Sequence, residues 1–169
     1  MKTEAGFLMA CALTFGVATA FGASEETYEA FGMRFWKALS QADFQALETC
    51  YAPEVTLLAG SELLKKEWGI NPGGDRGKDL QLKRADLLAG YKTMVAKIGI
   101  EKWKEALSKI GKDKVSFAAA EKDDQFYKGV RKGDIRMKVA AGPGDDALFF
   151  VLSQNADKAW CVRMERTDY

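Results

Sequence analysis

The order of structural signals between residues 34 and 61 constrains the fold of this chain more than any other feature. Phe31 and Phe35 recur at helical spacing, so the first segment has one apolar side. Asp43 is a residue type that often caps a helix N-terminus, and it predicts a second, short helix directly after the first. Pro53 cannot continue a helix. We therefore expect two helices followed closely by an extended segment.

The rest of the chain is helical first and extended last. Periodicity and turn residues predict helices over 25–41 (with Ser24 as its cap), 86–97 and 101–110, and strands over 55–58, 114–120, 134–141, 147–153 and 159–166. Residues 61–68 have the pattern of a helical turn. Residues 70–79 have the Gly- and Pro-rich composition of a solvated loop, with a mobile lid as the alternative. This order predicts an α+β domain.

Three short stretches carry a family resemblance: ADFQAL at 42–47, YAPEVT at 51–56 and DKAWCV at 157–162. They resemble the opening and the final strand of the nuclear transport factor 2-like superfamily, whose members include SnoaL-like cyclases and ketosteroid isomerase. Over most of residues 25–169 the predicted order of helices and strands also resembles that of the superfamily. The resemblance implies a curved antiparallel sheet wrapped around N-terminal helices, in a cone-shaped (cystatin-like) domain with a ligand pocket at its open end.

The resemblance also allows a comparison with ketosteroid isomerase, whose chemistry needs a carboxylate base and an oxyanion hole that contains a tyrosine. Alignment of the first helix places Phe35 at the position of that tyrosine. Alignment through the first strand places Ala59 at the position of the base. Both polar groups are missing, so the resemblance does not extend to this activity.

The first 23 residues have the pattern of a secretory signal peptide. Lys2 precedes an apolar run from Phe7 to Phe21, and Ala18-Thr19-Ala20 matches a cleavage site. The alternative is a buried N-terminal helix. We expect cleavage, export to the periplasm or the exterior, and a single mature domain over residues 24–169.

Export would leave the mature domain with two cysteines, Cys50 and Cys161. In an oxidising compartment such a pair can form a disulfide. Spacing alone does not bring two Cα atoms within bonding reach, so two buried free thiols are the preferred interpretation.

Composition excludes several classes of function. The chain has 25 Lys and Arg against 24 Asp and Glu, a balance that predicts no nucleic-acid interface and, after removal of the leader, no membrane association. It has no histidine, which excludes His-based triads and His metal ligands. The acidic residues show no metal-loop spacing, so we expect no metal and no cofactor.

Aromatic side chains are the best candidates for the walls of a pocket; they are Trp36, Tyr51, Trp68, Tyr91, Trp103 and Phe149. Arg136 or Arg163 would orient an anionic ligand. Core packing of the aromatics and solvation of the arginines are the alternatives. We interpret Glu54 and Glu165, the carboxylates nearest the strand ends, as surface charges.

These observations predict a binding domain for a small molecule that is partly apolar or anionic. An enzyme of isomerase, cyclase or dehydratase type with a non-standard site in the same cavity is the second hypothesis. A structural homodimerisation module without a ligand is the third. Under each of the three hypotheses we expect a homodimer. Residues 147–152 are apolar on both faces of their strand, and a partner subunit would shield the outer face from water.

Overall fold

The computed structural model describes residues 26–58, 79–120, 129–140 and 147–167. The helices are α1 (Tyr28–Gln41), α2 (Phe44–Cys50), α3 (Arg84–Ile98) and α4 (Ile100–Ser108), with a 3-10 turn at Lys112–Lys114. The strands are β1 (Tyr51–Leu57), β2 (Leu80–Lys83), β3 (Val115–Ala119), β4 (Ile135–Ala140), β5 (Ala147–Gln154) and β6 (Trp160–Thr167). The predicted α+β class is confirmed. The leader, the turn at 61–68, Ala59, Trp68 and the loop up to residue 78 lie outside the described residues.

The two N-terminal helices meet at a sharp break. Ala42 adopts a left-handed conformation with φ of 54°, which ends α1, and the Asp43 carboxylate then accepts a hydrogen bond from the Ala46 amide at 3.0 Å. The predicted cap is therefore confirmed. The predicted start of α1 is wrong: Thr27, not Ser24, caps this helix, accepting from the Ala30 amide at 3.3 Å.

The chain passes from α2 into β1 without a loop. β1 begins at Tyr51, earlier than the predicted start at Val55. Pro53 is compatible with this strand because pairing with β2 starts only at Glu54, so the missing amide interrupts no hydrogen bond to β2.

The six strands form one sheet in the order β2-β1-β6-β5-β4-β3. The pair β1 and β6 is parallel, and all other neighbours are antiparallel. The four strands predicted after residue 113 are confirmed to within one residue at each end. β2 was not predicted, because its four residues run directly into α3.

The main core lies between the helices and one face of this sheet. It joins side chains from all four helices with side chains from β1, β4, β5 and β6. The other face carries a smaller cluster, the outer cluster, formed by Leu58, Val130, Val151 and Met164. Val151 is thus covered by residues of its own chain, which removes one reason to expect a partner there. The homodimer stays a prediction.

Gly32 allows α1 to lie close to β3. A Cβ at this position would overlap the Phe117 ring and lie 3.3 Å from the Met137 sulfur. Alanine normally stabilises a helix by about 1 kcal/mol over glycine. We expect Gly32→Ala instead to lower the free energy of unfolding by about 1–2 kcal/mol, because the ring must move. Urea unfolding measures this, and Phe117→Leu should restore most of the loss. A stabilised Gly32→Ala variant would contradict this packing.

Candidate functional site

The site begins with an irregularity in β6. Leu152 of β5 pairs with Val162 of β6, whereas Val151 pairs with Met164. Arg163 is therefore an extra residue in β6, with no position opposite it in β5. Such β-bulges change the direction of the side chains that follow them.

The bulge directs Glu165 into the main core. Val162 faces the core, and a regular strand would give residues 164 and 166 the same direction as Val162. The extra residue resets this alternation. Glu165 instead lies beside Leu57 of β1 and Phe150 of β5, both fully buried.

Glu165 is fully buried and is held by two phenols. The Tyr51 hydroxyl donates to Oε2 at 2.7 Å, and the Tyr91 hydroxyl donates to Oε1 at 3.1 Å. Tyr51 starts β1 and Tyr91 lies in the middle of α3, so three elements meet at one carboxylate. We call these three residues the carboxyl–phenol cluster. The interpretation of Glu165 as a surface charge is wrong; Glu54, in contrast, is exposed.

Burial dominates the electrostatics of this cluster. It raises the pKa of Glu165 from 4.5 to about 7, while the hydrogen bonds from Tyr51 and Tyr91 oppose the rise. No ion pair to Glu165 occurs in the described part of the chain. Burial and then the neighbouring Glu165 charge raise the pKa of Tyr51 well above its ordinary value. The cluster therefore holds a carboxyl that changes protonation state near neutral pH.

Aromatic rings fix the two phenols. The Phe35 ring meets the Tyr51 ring edge-on at 5.4 Å between centroids, and Trp103 meets Tyr91 in the same way at 6.2 Å. Trp103 is itself held by a hydrogen bond from its indole nitrogen to the Leu39 carbonyl at 2.9 Å. The phenols thus have little freedom to turn away from the carboxylate.

The predicted pocket residues separate into three places. Tyr51, Tyr91 and Trp103 come together around Glu165. Trp36 lies elsewhere, in a cleft between α1 and α4. Arg163 and Phe149 lie toward the opposite side of the sheet: Phe149 packs against the outer cluster, and the Lys138 ammonium lies 5.7 Å from its ring centre. The partly buried Arg136 alternates with Met137, which faces the core.

Arg163 is held by a polar network of its own chain. Its Nη2 donates to Asp134 Oδ2 at 2.7 Å and to the Gly129 carbonyl at 2.9 Å, and its Nε donates to Ser153 Oγ at 3.0 Å. Asp134 also accepts from the Ser153 hydroxyl at 2.6 Å and from the Arg131 amide at 2.8 Å. That Arg163 orients an anionic ligand stays a prediction, and in this structure its side chain is held by groups of its own chain. Its guanidinium fixes residues 129–134 on the sheet.

Both cysteines are free thiols. The Cys50 sulfur accepts from Arg34 at 3.3 Å, and the Cys161 thiol donates to the Ser153 carbonyl at 3.4 Å. Burial raises the pKa of each thiol. The two groups thus occupy separate environments, as the preferred interpretation of free thiols expects.

Within the described residues, no group of three Cys, Asp or Glu side chains could hold a metal ion. No helix among them is both long and apolar enough to cross a membrane.

No family model matches this chain, and no curated protein matches it. Two similar solved structures are DUF4783 family proteins. One, from Bacteroides fragilis YCH46, is 11% identical with a TM-score of 0.39, and the match covers 80% of this chain and 94% of that chain. The other, from Bacteroides ovatus ATCC 8483, is 13% identical with a TM-score of 0.40, covering 80% and 91%.

Proposed function

We propose that this chain is an exported small-molecule-binding domain of the nuclear transport factor 2-like type, and that the carboxyl–phenol cluster is the polar end of its ligand site. The observation that carries the proposal is that Glu165 is fully buried in an apolar core and accepts hydrogen bonds from the Tyr51 and Tyr91 hydroxyls. The stretches at 42–47 and 51–56, together with the order of helices and strands, support the fold assignment.

The placement of Glu165 is unfavourable for stability alone. A carboxyl buried without a cationic partner is destabilising relative to an apolar side chain of similar size. Titratable groups shifted in this way occur often at functional sites. A role in ligand recognition would explain why a glutamate occupies position 165, where core packing alone would favour an apolar side chain.

The cluster retains hydrogen-bonding capacity. Each carboxylate oxygen accepts one phenol hydroxyl in this structure but has two lone-pair sites. A polar group of a ligand can therefore bind to the carboxyl while both phenols stay in place. The aromatic surroundings favour a mainly apolar molecule with one polar group.

The protonation state of Glu165 decides which polar group fits. Below pH 7 the protonated carboxyl can donate to a carbonyl or carboxylate of the ligand. Above pH 7 the charged form repels a carboxylate and favours a donor. For ligands that present an acceptor, affinity is thus expected to fall as pH rises through about 7.

An enzyme is the second candidate, favoured by the same pKa of about 7 for Glu165. A group that exchanges its proton near the working pH is suited to general acid–base chemistry. The reaction would be of the isomerase, cyclase or dehydratase type, with Glu165 as the group that transfers the proton. Exchange of a carbon-bound hydrogen for deuterium, in a ligand that binds, separates an enzyme from a pure binder.

Thermal-shift screening tests the binding proposal. Apolar acids, ketones and sterol-like compounds are screened at pH 6 and pH 8 against the natural chain, Glu165→Gln and Glu54→Gln. We expect a stabiliser whose effect is stronger at pH 6, is lost in Glu165→Gln and persists in Glu54→Gln, which changes an exposed carboxylate. Equal stabilisation of all three proteins, or of none, would refute this site.

A further inference from the structure

A cleft of about 610 Å³ lies between α1 and the C-terminal end of α4, outside the carboxyl–phenol cluster. Its volume is in the range of small-molecule sites. Trp36 lines it, whereas the preceding Phe35 packs against Tyr51 in the core. Successive residues of a helix point about 100° apart, so α1 directs the Phe35 ring into the core and the Trp36 ring toward the cleft.

The floor of the cleft is apolar. Trp36 and Leu107 are almost fully buried side chains, and the half-buried Met33 and Ile110 complete the surface. Two serine hydroxyls also line the cleft, but both donate to carbonyls of their own helices at 2.9 and 3.0 Å. The cleft therefore offers a ligand mainly hydrocarbon contact.

Among the described residues that line the cleft, the charged ones are Arg34 and Lys37, and none is acidic. Arg34 and Lys37 lie three residues apart on α1, on the same side of the helix. Arg34 is already held by Glu26, at 2.9 Å from Nε and 2.8 Å from Nη2. Lys37 is exposed, and no described carboxylate forms an ion pair with it. Lys37 is thus the cation available to a ligand.

We propose that this cleft is a second ligand site, which binds an apolar monocarboxylate. The hydrocarbon part would lie on Trp36 and Leu107, and the carboxylate would meet the Lys37 ammonium. The apolar floor excludes strongly polar ligands, and the rim charge selects an anion over a cation. This site does not depend on the function proposed for Glu165.

Calorimetric titration with decanoate at pH 8, where the charged form of Glu165 repels a carboxylate, tests the proposal, with decanol and decyltrimethylammonium as matched neutral and cationic probes. We expect saturable one-to-one binding of decanoate, weaker binding of decanol and weakest binding of the cation. Lys37→Gln should weaken decanoate binding about fivefold, the size of an exposed ion pair. Raised salt should weaken binding to the natural chain and have little effect on Lys37→Gln.

Further variants locate the site. Ile110→Glu places a carboxylate in the apolar floor and should weaken decanoate binding more than tenfold. Lys102→Gln makes the same charge change as Lys37→Gln at an exposed position of α4 outside the cleft, and should bind normally. No saturable binding, or equal loss in Lys37→Gln and Lys102→Gln, would overturn the proposal.

Discussion

Replacement of Glu165 by glutamine is expected to remove a pH dependence of folding stability worth roughly 3 kcal/mol. The folded-state pKa of about 7 lies above the ordinary value of 4.5, so between these values the folded chain binds more protons than the unfolded chain. Stability from this group is complete below pH 4.5 and is lost as pH rises to about 7. The difference between the two pKa values corresponds to roughly 3 kcal/mol.

The measurement is urea unfolding of the natural chain and of Glu165→Gln at intervals from pH 4.5 to 8. The natural chain titrates many groups, so the difference between the two proteins is the informative quantity. Relative to the natural chain, Glu165→Gln should gain stability steadily as pH rises. Glu54→Gln, which changes an exposed carboxyl, should stay within about 0.5 kcal/mol throughout. A flat difference for Glu165→Gln would show that Glu165 does not titrate in this interval.

The beginning of the fold could be predicted because its signals are local. Asp43 caps α2 through a hydrogen bond to an amide three residues away, and Pro53 limits the helix by its own covalent geometry. Such effects need no knowledge of distant residues. The strands after residue 113 were also predictable, since turn residues separate them in the sequence.

The position of Glu165 in the candidate site was not predictable, because it depends on the pairing register of β5 and β6. Regular alternation from Val162 would direct Glu165 to the outer face, and only the extra residue in β6 reverses this. No glycine or proline marks the bulge in the sequence. Tyr51 and Tyr91 were among the candidates chosen from the sequence, but their common partner, Glu165, lies 114 and 74 residues away in the chain.

Removal of the Asp134 carboxylate is expected to lower the free energy of unfolding by about 3 kcal/mol. Asp134 Oδ2 lies 2.7 Å from Arg163 Nη2, and the two side chains are only 5% and 17% exposed. Asp134→Ala leaves a largely buried guanidinium without its counter-charge and Ser153 without its acceptor. Breaking a buried ion pair from one side is strongly destabilising, and the partial exposure of Arg163 limits the effect. Urea unfolding at pH 7 measures it.

The pair formed by Arg34 and Glu26 is the matched control. It has almost the same length, 2.8 Å, but its side chains are 47% and 39% exposed. Exposed pairs contribute little because water and salt screen them, so Glu26→Ala should change stability by about 0.5 kcal/mol or less. If burial decides the strength of these two pairs, 1 M salt should reduce the effect of Glu26→Ala and leave most of the effect of Asp134→Ala. Equal losses in the two variants would contradict a structural role for Asp134 in fixing residues 129–134 to the sheet.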